Sequence, residues 1–284
     1  MQLLNFTKMQ AYGNDYVYMN AIDQRIDDPN ELARRVSDRH FGIGSDGLVL
    51  ICPSDRGEFR MRMFNPDGTE GEMCGNALRS LSKFVYDYRL TDKEHFFIET
   101  LGGMQEIWLT VQGGEAVNIT ADIGVPRLLA AQVPVATKLE KFIDQPVEVL
   151  DRTFRITALS WGNPHCVMFI DDTAAFPVEK YGPMIERNTA LFPNKTNVTF
   201  AQVVSPAYLK MREWERGTGE TIGCGTGCCT AAVAAALLGY CGRKVEVEQI
   251  GGILRVEWRT EDDHVRMTGP SHIVYEGVYR YEAD

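Results

Sequence analysis

Two of the seven cysteines, Cys74 and Cys224, stand in matching surroundings. Each is preceded at four residues by a glutamate, Glu70 and Glu220, and at ten by the last residue of a Met-Arg-x-aromatic segment, Met61–Phe64 and Met211–Trp214. Each is followed by glycine, in Cys74-Gly75-Asn76 and Cys224-Gly225-Thr226. A thiol serves as acid or base near neutral pH, because its ordinary pKa is about 8.5. A pair of matched thiols suits the inversion of a carbon stereocentre. One thiolate takes a proton from one face of Cα and the opposing thiol delivers one to the other face, with the roles exchanged in the reverse direction. The carbanion between these steps spreads charge onto the adjacent carboxylate, which calls for preorganised N–H donors.

The elements around the cysteines can supply those donors. Each cysteine stands where an irregular stretch turns into a predicted helix. Leu78, Leu81, Val85 and Tyr88 share one helical face. The run Thr230–Leu238 is alanine-rich and apolar all round, which predicts a helix buried on every side. A helix start offers unpaired N–H groups and the positive end of the dipole. Both stabilise a thiolate and can hold a carboxylate. Gly75 and Gly225 allow the backbone to approach a ligand closely. Phe97–Thr100, Lys244–Glu248 and Val167–Ile170 read as strands, with turns at Gly102-Gly103, Gly113-Gly114 and Gly251-Gly252.

The matching extends well beyond the cysteines, at a period near 149–150 residues. Val17 and Val167 lie at the same distance before their cysteines. Gly13-Asn14 and Gly162-Asn163 match within one residue, Ile98–Gly103 aligns with Val247–Gly252, and Ile107 with Val256. The chain is therefore expected to form two similar halves, about 1–120 and 125–265. Each would be a sheet with one helix against or inside it, the two cysteine sites facing each other across a cleft.

Composition narrows the function classes. The 284 residues include 29 Lys+Arg and 39 Asp+Glu, a net charge of −10, which argues against nucleic acid and anionic membrane as partners. With 44% hydrophobic and 24% charged residues, the balance is that of an ordinary globular protein. Seven cysteines cannot all pair within one chain, and Met1–Gln10 does not read as a secretory signal. Reduced thiols in the cytoplasm are the expectation.

These residues resemble the diaminopimelate epimerase family, a cofactor-independent group in a superfamily that also holds proline racemase-like enzymes. The resemblance runs through Gly13–Tyr16, Gly42–Gly47, Phe64–Gly68, Met73–Asn76, Gly162–His165, Thr196–Val198, Trp214–Gly217, Cys224–Gly227 and Met267–Pro270. It implies interconversion of LL- and meso-diaminopimelate, on the route to lysine and peptidoglycan cross-links, by an isomerase. The implied fold is α+β, with two pseudo-symmetric halves, each a curled, mostly antiparallel sheet around a central helix. One half is 1–122, to which 266–284 returns, and the other is 123–265.

By the same resemblance Cys74 and Cys224 are the acid/base thiols. Gly75, Asn76, Gly225 and Thr226 hold the reacting carboxylate through their N–H groups. Asn65, Asn163, Asn197, Glu215 and Arg216 read the distal end of the substrate, Asn14 lines the cleft, and His165 helps set the protonation of the thiols. The guanidinium fork of Arg216 suits a carboxylate, and Glu215 and the amide oxygens can accept from an ammonium. The implied ligand is a small amino acid, with no cofactor, metal, nucleic acid or membrane. The oligomeric state is open, a homodimer being one option.

Four positions depart from the common family pattern. Ala77 stands where many members have glycine, and its methyl is expected to tighten the site. Ser80 replaces a frequent cysteine, Gly47 a residue that is glutamine in some members, and Gly223 a frequent alanine. The remaining cysteines, Cys52, Cys166, Cys228, Cys229 and Cys241, read as buried core thiols. Cys228 and Cys229 lack the second Cys/His pair that a zinc site needs. Two rival functions remain: a racemase of another amino acid in the same superfamily, and a non-enzymatic ligand-binding or thiol-redox protein.

Overall fold

The structure is a computed structural model that describes residues 1–282. The chain divides into two units, Met1–Asp122 together with the chain from Thr268 on, and Ile123–Met267. The first unit contains β1 (Gln2–Ala11), β2 (Asn14–Asn20), α1 (Pro29–Ser37), β3 (Leu48–Cys52), β4 (Phe59–Phe64), β5 (Glu70–Gly71), α2 (Gly75–Asp87), β6 (His95–Thr100), β7 (Gly103–Gln112) and β8 (Glu115–Asp122). The second contains β9 (Gln145–Val149), β10 (Arg152–Ser160), β11 (Pro164–Phe169), α3 (Val178–Glu186), β12 (Asn197–Ser205), β13 (Tyr208–Glu215), β14 (Gly219–Thr221), α4 (Gly225–Leu237), β15 (Lys244–Gln249) and β16 (Gly252–Trp258). β17 (Val265–Gly269) spans the junction, and β18 (His272–Tyr281) belongs to the first unit.

In the first unit β18 pairs antiparallel with β1, and β1 antiparallel with β2. β2 runs parallel to β3, β3 antiparallel to β4, and β4 parallel to β6. β6, β7 and β8 follow antiparallel, and β5 folds back on the end of β4. The second unit repeats this grammar. β10 and β11 pair antiparallel, β11 and β12 parallel, β12 and β13 antiparallel, β13 and β15 parallel, and β15 and β16 antiparallel, with β14 folded back on β13. The fold is α+β, each unit a mixed, mostly antiparallel sheet.

Both faces of the first sheet are covered, as the run of buried residues in β3 requires. Leu48 and Leu50 pack with Leu32, Ala33 and Val36 of α1. The alternate residues Val49 and Ile51 are equally buried and point to the opposite face, where α2 packs. α1 was not among the expected elements. It is short and rich in arginine, but its start is encoded: the Asp28 side chain accepts from the Glu31 N–H at 3.0 Å, with Pro29 in the first turn. The second unit likewise has α3 as a second helix. Its Val178, Tyr181 and Ile185 pack with Phe154, Phe176 and Phe200. One helix per half was therefore an undercount.

α2 also differs from its sequence reading. One apolar face was expected, but every residue from Gly75 to Tyr86 is buried. The polar members are tolerated because each has a partner. Arg79 donates to the Asn76 Oδ1 at 2.6 Å and lies over the Tyr12 ring. Lys83 meets the Asp87 carboxylate at 2.6 Å and the Ala116 carbonyl at 2.8 Å. The Ser80 and Ser271 hydroxyls are 2.6 Å apart, which ties the returning C-terminal segment to α2. α4 is buried through most of its length, as its alanine run predicts. Among the described residues no helix is long and apolar enough to cross a membrane.

Gly47 shows how tightly the first sheet is built around its loops. Its φ is +152°, and a Cβ placed there would lie 2.2 Å from the Phe64 carbonyl oxygen. Gly47→Ala is expected to lower the unfolding free energy in urea by about 2 kcal/mol or more. A loss below 0.5 kcal/mol would show that the loop gives way instead.

Candidate active site

Cys74 and Cys224 occupy the same local position. Each is the N-cap residue of a 13-residue helix, with extended backbone angles, φ −135° and ψ 123° at Cys74 and φ −124° and ψ 108° at Cys224. The first helical hydrogen bonds run from Leu78 N–H to the Cys74 carbonyl and from Cys228 N–H to the Cys224 carbonyl. In both cases the hairpin before the helix is fastened by a bidentate pair. Arg62 grips Glu70 with two contacts of 2.8 Å, and Arg212 grips Glu220 at 2.6 and 2.9 Å. The repeated arginine and glutamate of the sequence are these clamps.

Around Cys74 the first unit brings together Asn14, Gly75 and Asn76. The thiol donates to the Asn14 Oδ1 at 3.4 Å, and the Asn76 amide donates to the same oxygen at 3.3 Å. Tyr18 lies beneath the helix and donates to the Ala77 carbonyl at 3.2 Å. Burial, followed by the neighbouring Cys74, pushes the Tyr16 phenol well up, so Tyr16 stays neutral. Ala77 itself is fully buried, so its methyl fills the interior and does not line an open surface. Asn65 sits on the turn after β4, its amide donating to the Thr69 hydroxyl at 3.0 Å and its N–H to the Thr69 carbonyl at 2.8 Å.

Around Cys224 the chemistry differs. The Gly227 N–H donates to the sulfur at 3.3 Å, and the Thr226 hydroxyl is 3.6 Å from it. The Cys224 N–H donates to the Gln249 Oε1 at 2.8 Å, and the Cys228 thiol meets the same oxygen at 3.3 Å. Glu213, 1% exposed, accepts from the Thr199 hydroxyl at 2.5 Å and lies 3.5 Å from Nδ1 of the fully buried His165. Its carboxylate also explains Gly227, where a Cβ would stand 2.7 Å from Oε2. In the repeat Met63 stands opposite Glu213 and Ala77 opposite Gly227.

The Cys224 thiol corrects one expectation. A lowered pKa follows from the helix start alone, yet burial, then the charges of Glu215 and Glu213, push this thiol well up. The Thr226 hydroxyl and Gly227 N–H pull the other way and lose. Magnitudes explain the outcome. A helix terminus is worth about 0.3–2 kcal/mol to a nearby anion. Removing an anion from water costs several kcal/mol. Cys224 is therefore a protonated thiol at neutral pH.

The Glu215-Arg216-Gly217 turn is held from two sides. Asn197 Oδ1 accepts the Arg216 N–H at 2.8 Å, while the Asn197 amide donates to the Pro164 carbonyl at 3.0 Å. Glu186 at the end of α3 accepts from the Gly217 N–H and the Trp214 indole, both at 3.0 Å. Glu215 accepts from the Thr221 hydroxyl at 2.6 Å. The exposed Arg216 side chain donates to the Asn194 carbonyl at 3.1 Å. Asn163 lies on the turn between β10 and β11, its carbonyl accepting from the Trp161 N–H at 3.4 Å.

Sequence reading missed Gln249, Glu186, Thr199 and Glu213. Only Glu213 left a signal, as the charged residue that breaks the otherwise apolar match to Met63. Cys166, Cys228 and Cys229 are buried as expected, whereas Cys52 and Cys241 are only partly buried, Cys52 packing against the core beside α1.

Comparison with known proteins adds to this geometry. The sequence model of a family described as diaminopimelate epimerase matches residues 6–129 and 157–274. The chain is 50% identical over 274 residues to a protein of Methanococcus maripaludis strain C5 bearing that name, covering 96% of this chain and 99% of that protein. It is 48% identical to one from Acetivibrio thermocellus of the same name, covering 96% and 98%. In fold it is similar to a phenazine biosynthesis protein of the PhzF family from Bacillus anthracis, with a TM-score of 0.73, 18% identity and coverage of 99% and 100%.

Iodoacetamide labelling of Cys224 followed across pH tests the thiol assignment. The rate is expected to rise with a midpoint above pH 9, because only the thiolate reacts. A midpoint at or below about 8.5, the ordinary cysteine value, would contradict it.

Proposed function

The chain belongs to the diaminopimelate epimerase family and is an amino-acid epimerase interconverting LL- and meso-2,6-diaminopimelate; from that premise we propose that Cys74 and Cys224 are its two acid/base groups. The observation that carries the proposal is their shared position. Each is the N-cap of a 13-residue buried helix, one in each unit. Epimerisation takes a proton from one face of Cα and returns one to the other. Each unit contributes one thiol and one helix start to that task, and the repeated order of strand pairings makes the units two versions of one α+β module.

The chemistry divides unequally between the two thiols during one turnover. Cys224, held protonated by burial and by Glu215 and Glu213, is the acid. Cys74 is then the base for the same direction, and the roles reverse when the product returns. As the proton leaves Cα, charge moves onto the substrate carboxylate. In this reading the N–H groups of Gly75, Asn76, Gly225 and Thr226, at the two helix starts, receive it. Glu215 and Arg216, on the turn that Asn197 and Glu186 hold, take the ammonium and carboxylate of the distal amino-acid centre. Asn65 and Asn163 add amide contacts from neighbouring turns. His165 is buried beside Glu213, one of the two carboxylates that act on Cys224.

The two cysteines are separable by substitution. Cys74→Ala and Cys224→Ala are each expected to lower kcat for epimerisation by about a thousand-fold, within the range for loss of an acid or base. Circular dichroism should stay that of the unsubstituted protein. Full activity in either variant would overturn the two-thiol assignment. Activity on another amino acid with none on diaminopimelate would replace the substrate.

A further inference from the structure

The Gly42–Gly47 segment belongs to no step above, yet its backbone is held by a run of hydrogen bonds. Its N–H groups are tied to the end of α1 and the residue after it. Gly42 donates to the Asp38 carbonyl at 3.0 Å, Ile43 and Gly44 to that of Val36 at 3.1 and 2.9 Å, and Ser45 to that of Ser37 at 3.0 Å. A Cβ on Gly42 would lie 2.0 Å from the Arg35 carbonyl oxygen. From the far side the buried Lys8 ammonium reaches both the Gly44 carbonyl and Asp15, the latter at 2.5 Å. This rigid loop presents one side chain toward Asn14, the carboxylate of Asp46.

We infer that Asp46 is a positioning residue that fixes which end of the Asn14 amide meets the Cys74 thiol. An amide has a donor end and an acceptor end of nearly the same shape, and only its partners decide between them. A carboxylate paired to arginine can only accept. Asp46 Oδ2 takes the Asn14 Nδ2 at 2.8 Å and the Asp15 N–H at 3.1 Å, while Oδ1 takes Arg39 at 2.9 Å. Its own N–H is fixed by the Asp15 carbonyl at 2.7 Å. The Asn14 NH2 must therefore face Asp46, and its Oδ1 must face Cys74.

A second, independent contact selects the same orientation. Arg79 donates to the Asn76 Oδ1, which turns the Asn76 NH2 outward to donate to the Asn14 Oδ1 at 3.3 Å. A flipped Asn14 would put NH2 against NH2 on one side and oxygen against carboxylate on the other. The thiol thus always meets an acceptor, which favours S–H over S⁻ and directs the S–H bond at Asn14. Releasing the lock lets the amide present its NH2 to the sulfur, which favours the thiolate. Arg39 and Lys8 support this arrangement from behind. They outweigh the burial of Asp15 and hold its carboxyl below the usual range.

The inference rests on the two-thiol reading only for its catalytic consequence, so its test uses no substrate. Iodoacetamide labelling of Cys74 and Cys224 is followed by peptide mass at one pH in four proteins: unsubstituted, Asp46→Ala, Asn14→Ala and the double variant. Asp46→Ala is expected to speed Cys74 labelling by about three-fold or more when Asn14 is present and by less than about 1.5-fold when it is absent, the non-additivity expected of a residue acting through another. Cys224 labelling should not change. An equal change in both backgrounds would mean that Asp46 acts through space or on the fold. No change, or an equal change at Cys224, would also overturn the inference. If Asp46→Ala fails to fold, Asp46→Asn enters the same cycle, since an amide there must set an NH2 against either Arg39 or the Asn14 and Asp15 donors. If instead Cys74→Ala keeps full epimerase activity, the two-thiol reading fails while the labelling cycle still decides the role of Asp46.

Discussion

A helix start cannot be buried without answering for the N–H groups that the helix leaves over. That constraint shapes both units. In each, a cysteine holds the N-cap position, its sulfur accepting from the first turn at Cys224, and an Arg–Glu clamp closes the hairpin that delivers the cysteine. A site built this way is suited to a carboxylate, because the ligand supplies the acceptor that the backbone lacks. The sheets, with α1 and α3 on their other faces, serve to keep those two helices buried and their first turns fixed.

The two sites share a frame but not a chemistry. Cys74 meets the Asn14 amide oxygen, with the buried Tyr16 and Tyr18 nearby. Cys224 lies among carboxylates, with Glu213 and Glu215 acting on it and the buried His165 beside Glu213. A reversible two-thiol reaction needs one thiol charged and the other neutral at any moment. The surroundings hold a proton on each thiol by different means, burial and two carboxylates at Cys224 and the Asn14 oxygen at Cys74. Met63 in one copy and Glu213 in the other is one place where the two sequences diverge, and the Glu213 carboxylate leaves room only for glycine at 227.

Much of this was legible in the sequence because it is periodic or punctuated. The matched Cys-Gly motifs, the clamp residues and the all-apolar run of α4 each carry their own signal. Side chains that act through the fold carry little. Gln249 reaches the Cys224 N–H from β15, and Glu186 reaches Gly217 from the end of α3, both across long stretches of chain. Arg79 and Lys83 are polar residues that burial tolerates because partners accept them, Asn76 on the same helix and the Ala116 carbonyl on β8. The direction of the Cys224 shift was misread for a related reason. The helix start is local and readable, whereas burial and the approach of two glutamates are properties of the folded unit.

The central claim is that a proton leaves one face of Cα to one thiol while another thiol delivers a different proton to the other face. Its most direct test is epimerisation of LL-diaminopimelate in D2O, stopped at low conversion, with deuterium at Cα measured in product and in recovered substrate. The account predicts one deuterium at the inverted carbon of the meso product and almost none in the remaining LL isomer. Deuterium appearing equally in both, or in neither, would contradict it.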